Sequence, residues 1–261
     1  MIDRNIDCSV LMLDIRNFTD NLFYYSSKKD DSFLLFLNDV FTESIKCIKK
    51  LSENNNFYVN STGDGLLVIY FGDNHEIRCF TLGIMLVYKL TEIFSRFKEK
   101  EQRIISFGIG IESGSVDKVT FTGLENEKFT FLGNVINIAS RIESETKNHA
   151  RANLIIGKEI NNRLVKSIFD IDYHELMNIV INNPDDKDIV HETITKMNLL
   201  NQKLLLSYIF EHNFKGLSFS MPLFRLSPTL IKDKETGFMS FLQMAFRNEK
   251  CIINELMDMV L

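Results

Sequence analysis

The chain has 261 residues, 45% hydrophobic and 25% charged, with a formal net charge of −5. That length and apolar content suffice to bury a sizeable core in one large domain, or in one domain plus an appendage. The acidic balance excludes a general electrostatic grip on nucleic acid, so any phosphate chemistry has to be local.

In chain order, Ser9 to Leu13 is a short apolar run ending at Asp14, and it reads as a buried strand that delivers a carboxylate at its end. From about Ser32 to Leu51, the residues Phe33, Leu37, Val40, Phe41, Ile48 and Leu51 recur at helical spacing, which gives strand, loop, helix. Phe57 to Asn60 and Leu66 to Phe71 are β-prone runs separated by Ser61-Thr62-Gly63-Asp64-Gly65, a hairpin signal with Asp64 on the turn. A second long helix is predicted after Gly72-Asp73-Asn74, capped by Asp73 or Asn74. It runs to about Phe97 with Phe80, Ile84, Val87 and Ile93 facing inward. Ile104 to Val116 and Glu127 to Leu132 read as two further strands.

This order is βαββαβ with additions, an α+β, ferredoxin-like sheet with helices on one face. A helix from Val135 to Glu145 and a strand from Asn153 to Ile156 follow. Helical patterning then dominates residues 158 to 211, broken at Asn182-Asn183-Pro184-Asp185-Asp186. A final strand around Met221 to Leu226 precedes a helical tail from about Gly237 to Val260.

Cys8, Cys47, Cys79 and Cys251 are scattered and form no CxxC pair, so reduced thiols are expected, not a zinc site or a disulfide framework. The opening MIDRNIDCS lacks the regions of a signal peptide, and no uncharged apolar run reaches the ~20 residues of a membrane span. The simplest expectation is a cytoplasmic protein.

Two pairs of side chains bear on chemistry. In a ferredoxin-like sheet the end of the first strand lies beside the hairpin of the second and third, so Asp14 and Asp64 should meet, and magnesium or manganese takes such hard oxygen ligands. Asn137 and Arg141 are four apart on a predicted helix and share a face. Taken singly, each Asp could be a cap or turn former, and Arg141 could simply pair with Glu145 at i+4.

Sequence context separates these readings. Asp14-Ile15-Arg16-Asn17-Phe18-Thr19, Gly63-Asp64, Gly110-Ile111-Glu112-Ser113-Gly114 and Gly133-Asn134-Val135-Ile136-Asn137-Ile138-Ala139-Ser140-Arg141 occur in that order. They resemble the D-I-x-x-F-T stretch, G-D hairpin, G-I-x-x-G strand and G-x-x-V-N-x-A-x-R helix of the class III adenylate and guanylate cyclases, with Ile136 in place of Val. His212-Asn213-Phe214-Lys215-Gly216, leading to Pro222-Leu223-Phe224-Arg225-Leu226, is a weaker echo of the family's H-x-L-K-G and final strand. The resemblance implies a class III cyclase catalytic domain over residues 1–227, with a helical insertion at about 165–208 and a C-terminal helical tail over 228–261.

It further implies that Asp14, Asp64 and the backbone carbonyl of Ile15 are metal ligands for two Mn²⁺ or Mg²⁺ ions per site. One ion would activate the ribose 3′-hydroxyl, and the other would neutralise the departing pyrophosphate. Phe18 and Thr19, on the loop after the first strand, would offer backbone N–H groups to the triphosphate, and Lys215 matches a phosphate-binding lysine. Asn137 would hold the ribose and Arg141 the charge growing on the α-phosphate. Family sites lie between two subunits, so a head-to-tail homodimer with two composite sites is implied.

In purine cyclases of this class, base reading falls at two positions, occupied here by Asn60 and Thr130. Adenylate cyclases place Lys at the first and Asp or Thr at the second; guanylate cyclases favour Glu and a small polar residue. Asn60 matches neither, and its amide both donates and accepts. Tyr58 projects from the same strand face and would shorten the pocket. These features are similar to those of the bacterial Pycsar pyrimidine cyclases, which make cyclic UMP or cyclic CMP in defence against phage. The expected activity is conversion of UTP or CTP to cUMP or cCMP with release of pyrophosphate. The alternatives are an ATP cyclase, or a catalytically silent cyclase fold that binds nucleotide or a partner and regulates.

Overall fold

Two long strands carry the architecture, and both reach beyond the apolar runs visible in sequence. In the computed structural model, which describes residues 2–52, 56–121, 128–149, 153–214, 220–227, 234–247 and 250–260, β1 spans Ile2–Arg16 and β4 spans Ser106–Phe121. They pair antiparallel from Ile6↔Val116 to Arg16↔Ser106. The register shifts between Asp3 and Ile6, where Asn5 takes a φ of 55° and its N–H donates to Asp117 Oδ1 at 2.9 Å.

β2 (Phe57–Ser61) and β3 (Gly65–Phe71) form the predicted hairpin, and the sheet order begins β2-β3-β1-β4 with every neighbour antiparallel. That is the expected ferredoxin-like arrangement. β6 (Leu154–Ile156) extends it parallel to β4, followed by β8 (Ser220–Leu226) and β7 (Leu206–Asn213), while β5 (Lys128–Leu132) pairs with the far end of β4.

Strand alternation divides the core between two faces. Leu11, Leu13, Ile15, Val68 and Tyr70 lie in the larger cluster, under α2 (Ser32–Lys50) and α3 (His75–Glu101). Cys8, Val10 and Ile69 face the other way, against Val135 and Ala139 of α4 (Asn134–Glu145). α3 is apolar nearly all round because it is covered on two sides: the sheet beneath, and above it the tail helices α8 (Lys234–Ala245) and α9 (Lys250–Val260). Phe80 meets Phe241 edge to face at 5.4 Å, and Tyr88 meets Phe238 at 5.6 Å.

The helical patterning after residue 158 corresponds to α5 (Lys158–Phe169), α6 (Tyr173–Asn182) and α7 (Lys187–Lys203). Asp172 accepts from the N–H groups of His174 and Glu175, and Asp186 accepts from Ile189, so the polar breaks are N-caps.

Several expectations need correction. The helical reading of 158 to 211 overruns, because Leu206–Asn213 is β7, whose apolar run pairs with β8. An unpredicted helix, α1 (Phe18–Lys28), follows β1 directly. The helical tail is present as α8 and α9. α3 starts after Asn74 in a left-handed conformation with no side-chain cap bond, so neither predicted cap is made. Cys8, Cys47 and Cys79 are buried free thiols. Among the described residues, no helix is long and apolar enough to cross a membrane.

Candidate active site

The hairpin turn fixes where Asp64 sits. Thr62 N–H donates to the Gly65 carbonyl at 3.0 Å, Gly63 holds a φ of +96°, and a Cβ on Gly65 would fall 1.9 Å from the Leu13 carbonyl oxygen. Glycine is therefore required on both sides of Asp64, once for conformation and once for contact. The turn is tied to β1 by Ile15 N–H donating to the Asp64 carbonyl at 2.9 Å, and Asp14 stands opposite Gly65 in the ladder.

β1 then turns through Asn17, at a φ of 58°, straight into α1. Phe18 and Thr19 thus occupy the first turn of a helix and not a loop, which orients their backbone N–H groups as an anion site needs. Phe18 also anchors that turn, its ring 5.7 Å from Phe33.

Asp14, Ile15, Phe18, Thr19, Asp64 and Lys147 help line one cleft of about 500 Å³. Burial and then the Asp64 carboxylate raise the Asp14 pKa, while Lys147 and Arg16 oppose the rise. Lys147 Nζ lies 3.6 Å from Asp14 Oδ2. Behind them Arg16 donates to Thr146 Oγ1, and Glu143 is pushed to about 7 by burial and by Asp14. Two carboxylates that repel one another in a polar cleft form an oxygen donor set suited to a hard divalent cation. Among the described residues, no group of three or more His, Cys, Asp or Glu is arranged to hold a metal ion, so the donor set here is the two carboxylates alone. Lys147 was not singled out in sequence; it follows the helix motif, and nothing local signals that it returns to Asp14.

α4 can approach the sheet because β4 is bare beneath it. A Cβ on Gly110 would lie 2.3 Å from both the Ala139 carbonyl oxygen and the Glu143 nitrogen. The first glycine of the G-I-x-x-G stretch is therefore a packing requirement. With Val135, Ala139, Ile142 and Glu143 turned inward, Asn137 is exposed and Arg141 half-buried, and neither lines the Asp14–Asp64 cleft. At the end of α4, Glu145 Oε1 lies 3.3 Å from His212 Nε2 of β7, whose ring packs on Phe214. Lys215 lies outside the described residues.

On the far side of the hairpin, Tyr58 and Asn60 project from one face of β2, opposite Ile69 and Leu67. Asn60 is exposed, whereas the Tyr58 ring is held by Phe131 at 5.0 Å and Phe129 at 5.6 Å. Thr130 lies between those phenylalanines on β5, so alternation turns it to the opposite face, and within one chain it does not join Tyr58. The two phenylalanines were missed in sequence because only the pairing of β5 with β4 brings them over β2.

The model of the adenylate and guanylate cyclase catalytic domain family matches residues 2–180. The chain belongs to this family. It is accordingly a nucleotidyl cyclase, an enzyme class that works with divalent metal ions. Solved structures share its fold. The adenylyl cyclase CyaB from P. aeruginosa is 18% identical with a TM-score of 0.57, covering 87% of this chain and 95% of that one. The guanylyl cyclase Cya2 is 16% identical with a TM-score of 0.56, covering 86% and 92%. The guanylate cyclase domain of RhGC from Catenaria anguillulae, solved in complex with GTP, is 19% identical with a TM-score of 0.52, covering 86% and 98%. Among curated proteins, none matched the sequence.

Proposed function

We propose that this nucleotidyl cyclase converts a pyrimidine nucleoside triphosphate, UTP or CTP, to cUMP or cCMP and pyrophosphate. The observation that carries the substrate choice is the clamped Tyr58 ring beside Asn60. A phenol fixed between Phe129 and Phe131 shortens the space available to a base, and an exposed amide can pair with the edge of a single-ring base. Neither residue is the lysine or glutamate expected for adenine or guanine.

Asp14, Asp64 and the carbonyl of Ile15 would hold Mn²⁺ or Mg²⁺, two ions per site. Bound there, the metal supplies activation of the ribose 3′-hydroxyl and neutralisation of the leaving pyrophosphate. The N–H groups of Phe18 and Thr19 bind triphosphate oxygens, and Lys147 gives them a cationic partner from across the cleft. Lys215 belongs to the same reading through its motif alone. Asn137 and Arg141 of the partner subunit orient the ribose and bind the charge developing on the α-phosphate. Support for a composite homodimeric site is that one chain carries both halves, yet keeps Asn137 and Arg141 out of the cleft of Asp14 and Asp64. In this reading the catalytic unit is residues 1–227, with the 165–208 insertion and the 228–261 tail as additions. The messenger role in phage defence depends on the product being cUMP or cCMP.

The test is to incubate the purified protein with Mn²⁺ and each of the four ribonucleoside triphosphates, and to identify the product. Formation of cUMP or cCMP is expected. Turnover of ATP alone overturns the pyrimidine assignment, and no product from any triphosphate, in a dimeric preparation with metal, points to a silent regulatory fold.

A further inference from the structure

A second concave site lies far along the sheet from the Asp14–Asp64 cleft. The insertion helices α6 and α7 arch over the β7–β8 hairpin and leave a pocket of about 220 Å³. Its walls are aromatic and sulfur-bearing: Tyr173 and Tyr208 stand edge-on to Phe224 at 6.0 and 5.8 Å, with Met177 and Met197 beside them. A dry apolar cavity of roughly 150 Å³ takes up benzene, so this volume suits one or two fused rings.

Three polar features restrict the occupant. Asn201, 2% exposed, donates its amide to the Tyr173 hydroxyl at 2.8 Å, while its Oδ1 has no protein partner. A buried acceptor left unpaired is costly, and an N–H donor is the group that satisfies it. Glu211 places a carboxylate at the exposed rim, and among the described residues none that lines the pocket is Lys, Arg or His. A phosphate-bearing ligand, including the enzyme's own substrate or product, would meet a negative rim with no cation to receive it. An ammonium on an aromatic body gains from the rim charge and from the tyrosine faces alike.

We propose that this pocket binds a small aromatic amine, with its rings between Tyr173, Tyr208 and Phe224 and its protonated nitrogen toward Glu211. The site is separate from the Asp14–Asp64 cleft, with which it shares no lining residue. One residue beyond Glu211 the strand carries His212, which meets Glu145 at the end of α4.

Tryptamine serves as the probe, with indole-3-acetate as its anionic counterpart. The chain contains no tryptophan, so the indole emission of either ligand is read against tyrosine alone. Saturable binding of tryptamine to the full chain is expected, with indole-3-acetate much weaker. Glu211→Gln should weaken tryptamine about five-fold, the scale of one exposed ion pair. Ile194→Arg, at an exposed position on the rim, should weaken it further and improve indole-3-acetate. Equal binding of the two ligands, or a tryptamine affinity unmoved by both substitutions, overturns the proposal. Failure of both ligands to bind also overturns it and leaves the apolar mouth to a protein side chain. Binding is measured without turnover, so the result is independent of which triphosphate the enzyme cyclises.

Discussion

Ile15 and Asp64 are joined through their main chains, the Ile15 N–H donating to the Asp64 carbonyl at 2.9 Å. The hairpin tip is thus held against the end of β1 by backbone atoms, and the Asp64 carboxylate contributes nothing to that grip. Its removal should leave the fold intact, which makes the following experiment interpretable.

Asp64→Ala and Arg141→Ala proteins should each fold, dimerise and lose activity by on the order of 10²-fold or more. When they are mixed and allowed to exchange subunits, about half the dimers are mixed and each rebuilds one site of two, so about a quarter of wild-type activity should return. If exchange is demonstrated by labelling and no activity reappears, the shared site is wrong.

The Tyr58 ring is clamped by two rings while its backbone stays paired opposite Ile69 whatever the side chain, so Tyr58→Ala should widen the proposed base pocket without unfolding the sheet. Turnover of ATP relative to UTP and CTP should rise by about ten-fold, the scale at which one pocket group discriminates. Competition assays with mixed triphosphates measure the ratio directly; an unchanged ratio would remove Tyr58 from base selection.

Gly110→Ala should destabilise the protein by about 3 kcal/mol, because the new methyl meets α4 backbone atoms that cannot rotate away. Gly63→Ala, at a φ of +96° with open space around the position, costs only the backbone strain, about 1 kcal/mol. Urea unfolding of the pair separates the two roles, and equal losses would contradict the packing argument.

Glu112 is fully buried, accepts backbone N–H bonds from Ser113 and Ile160 at 2.8 Å, and is raised by burial from 4.5 to about 7. A carboxyl whose folded pKa exceeds its unfolded value favours folding below the unfolded pKa and loses that contribution as pH rises through the folded one. Between those values the loss is about 3 kcal/mol. Glu143, raised to about 7 as well, acts in the same direction, so the informative quantity is a difference. Glu112→Gln should flatten the decline in stability between about pH 5 and about pH 8 relative to wild type, and an unchanged slope would show that Glu112 does not titrate there.

The parts of the fold legible in sequence are those where local pattern and tertiary role agree. The 3.6-residue period of Phe80, Ile84 and Val87 and the glycines around Asp64 each announce a single structure. Elsewhere the chain is locally ambiguous. Leu204-Leu205-Leu206-Ser207-Tyr208-Ile209 continues a helical run by composition and becomes a strand only because β8 offers it a partner. α1 makes no side-chain cap bond, since it enters through Asn17 in a left-handed conformation. The ends of β1 and β4 carry Asp3, Arg4, Asp117 and Lys118, polar residues that suit an exposed ribbon and conceal its length. Of the candidate site residues, Asp14, Asp64, Asn137 and Arg141 stand in recognisable stretches. Lys147, Phe129 and Phe131 take their positions from long-range pairing, which leaves no mark on their neighbours in sequence.

The packing of Phe80 on Phe241 and of Tyr88 on Phe238 also sets a timetable. The outer side of α3 is synthesised early, but the rings that cover it leave the ribosome only with residues 234–260. Until then a nascent chain carries the complete β2–β3 hairpin and α4 with the aromatic stripe of α3 uncovered, a condition that invites chaperone capture or misassociation. Competence of this enzyme should therefore come after translation of the tail, and not as each motif emerges.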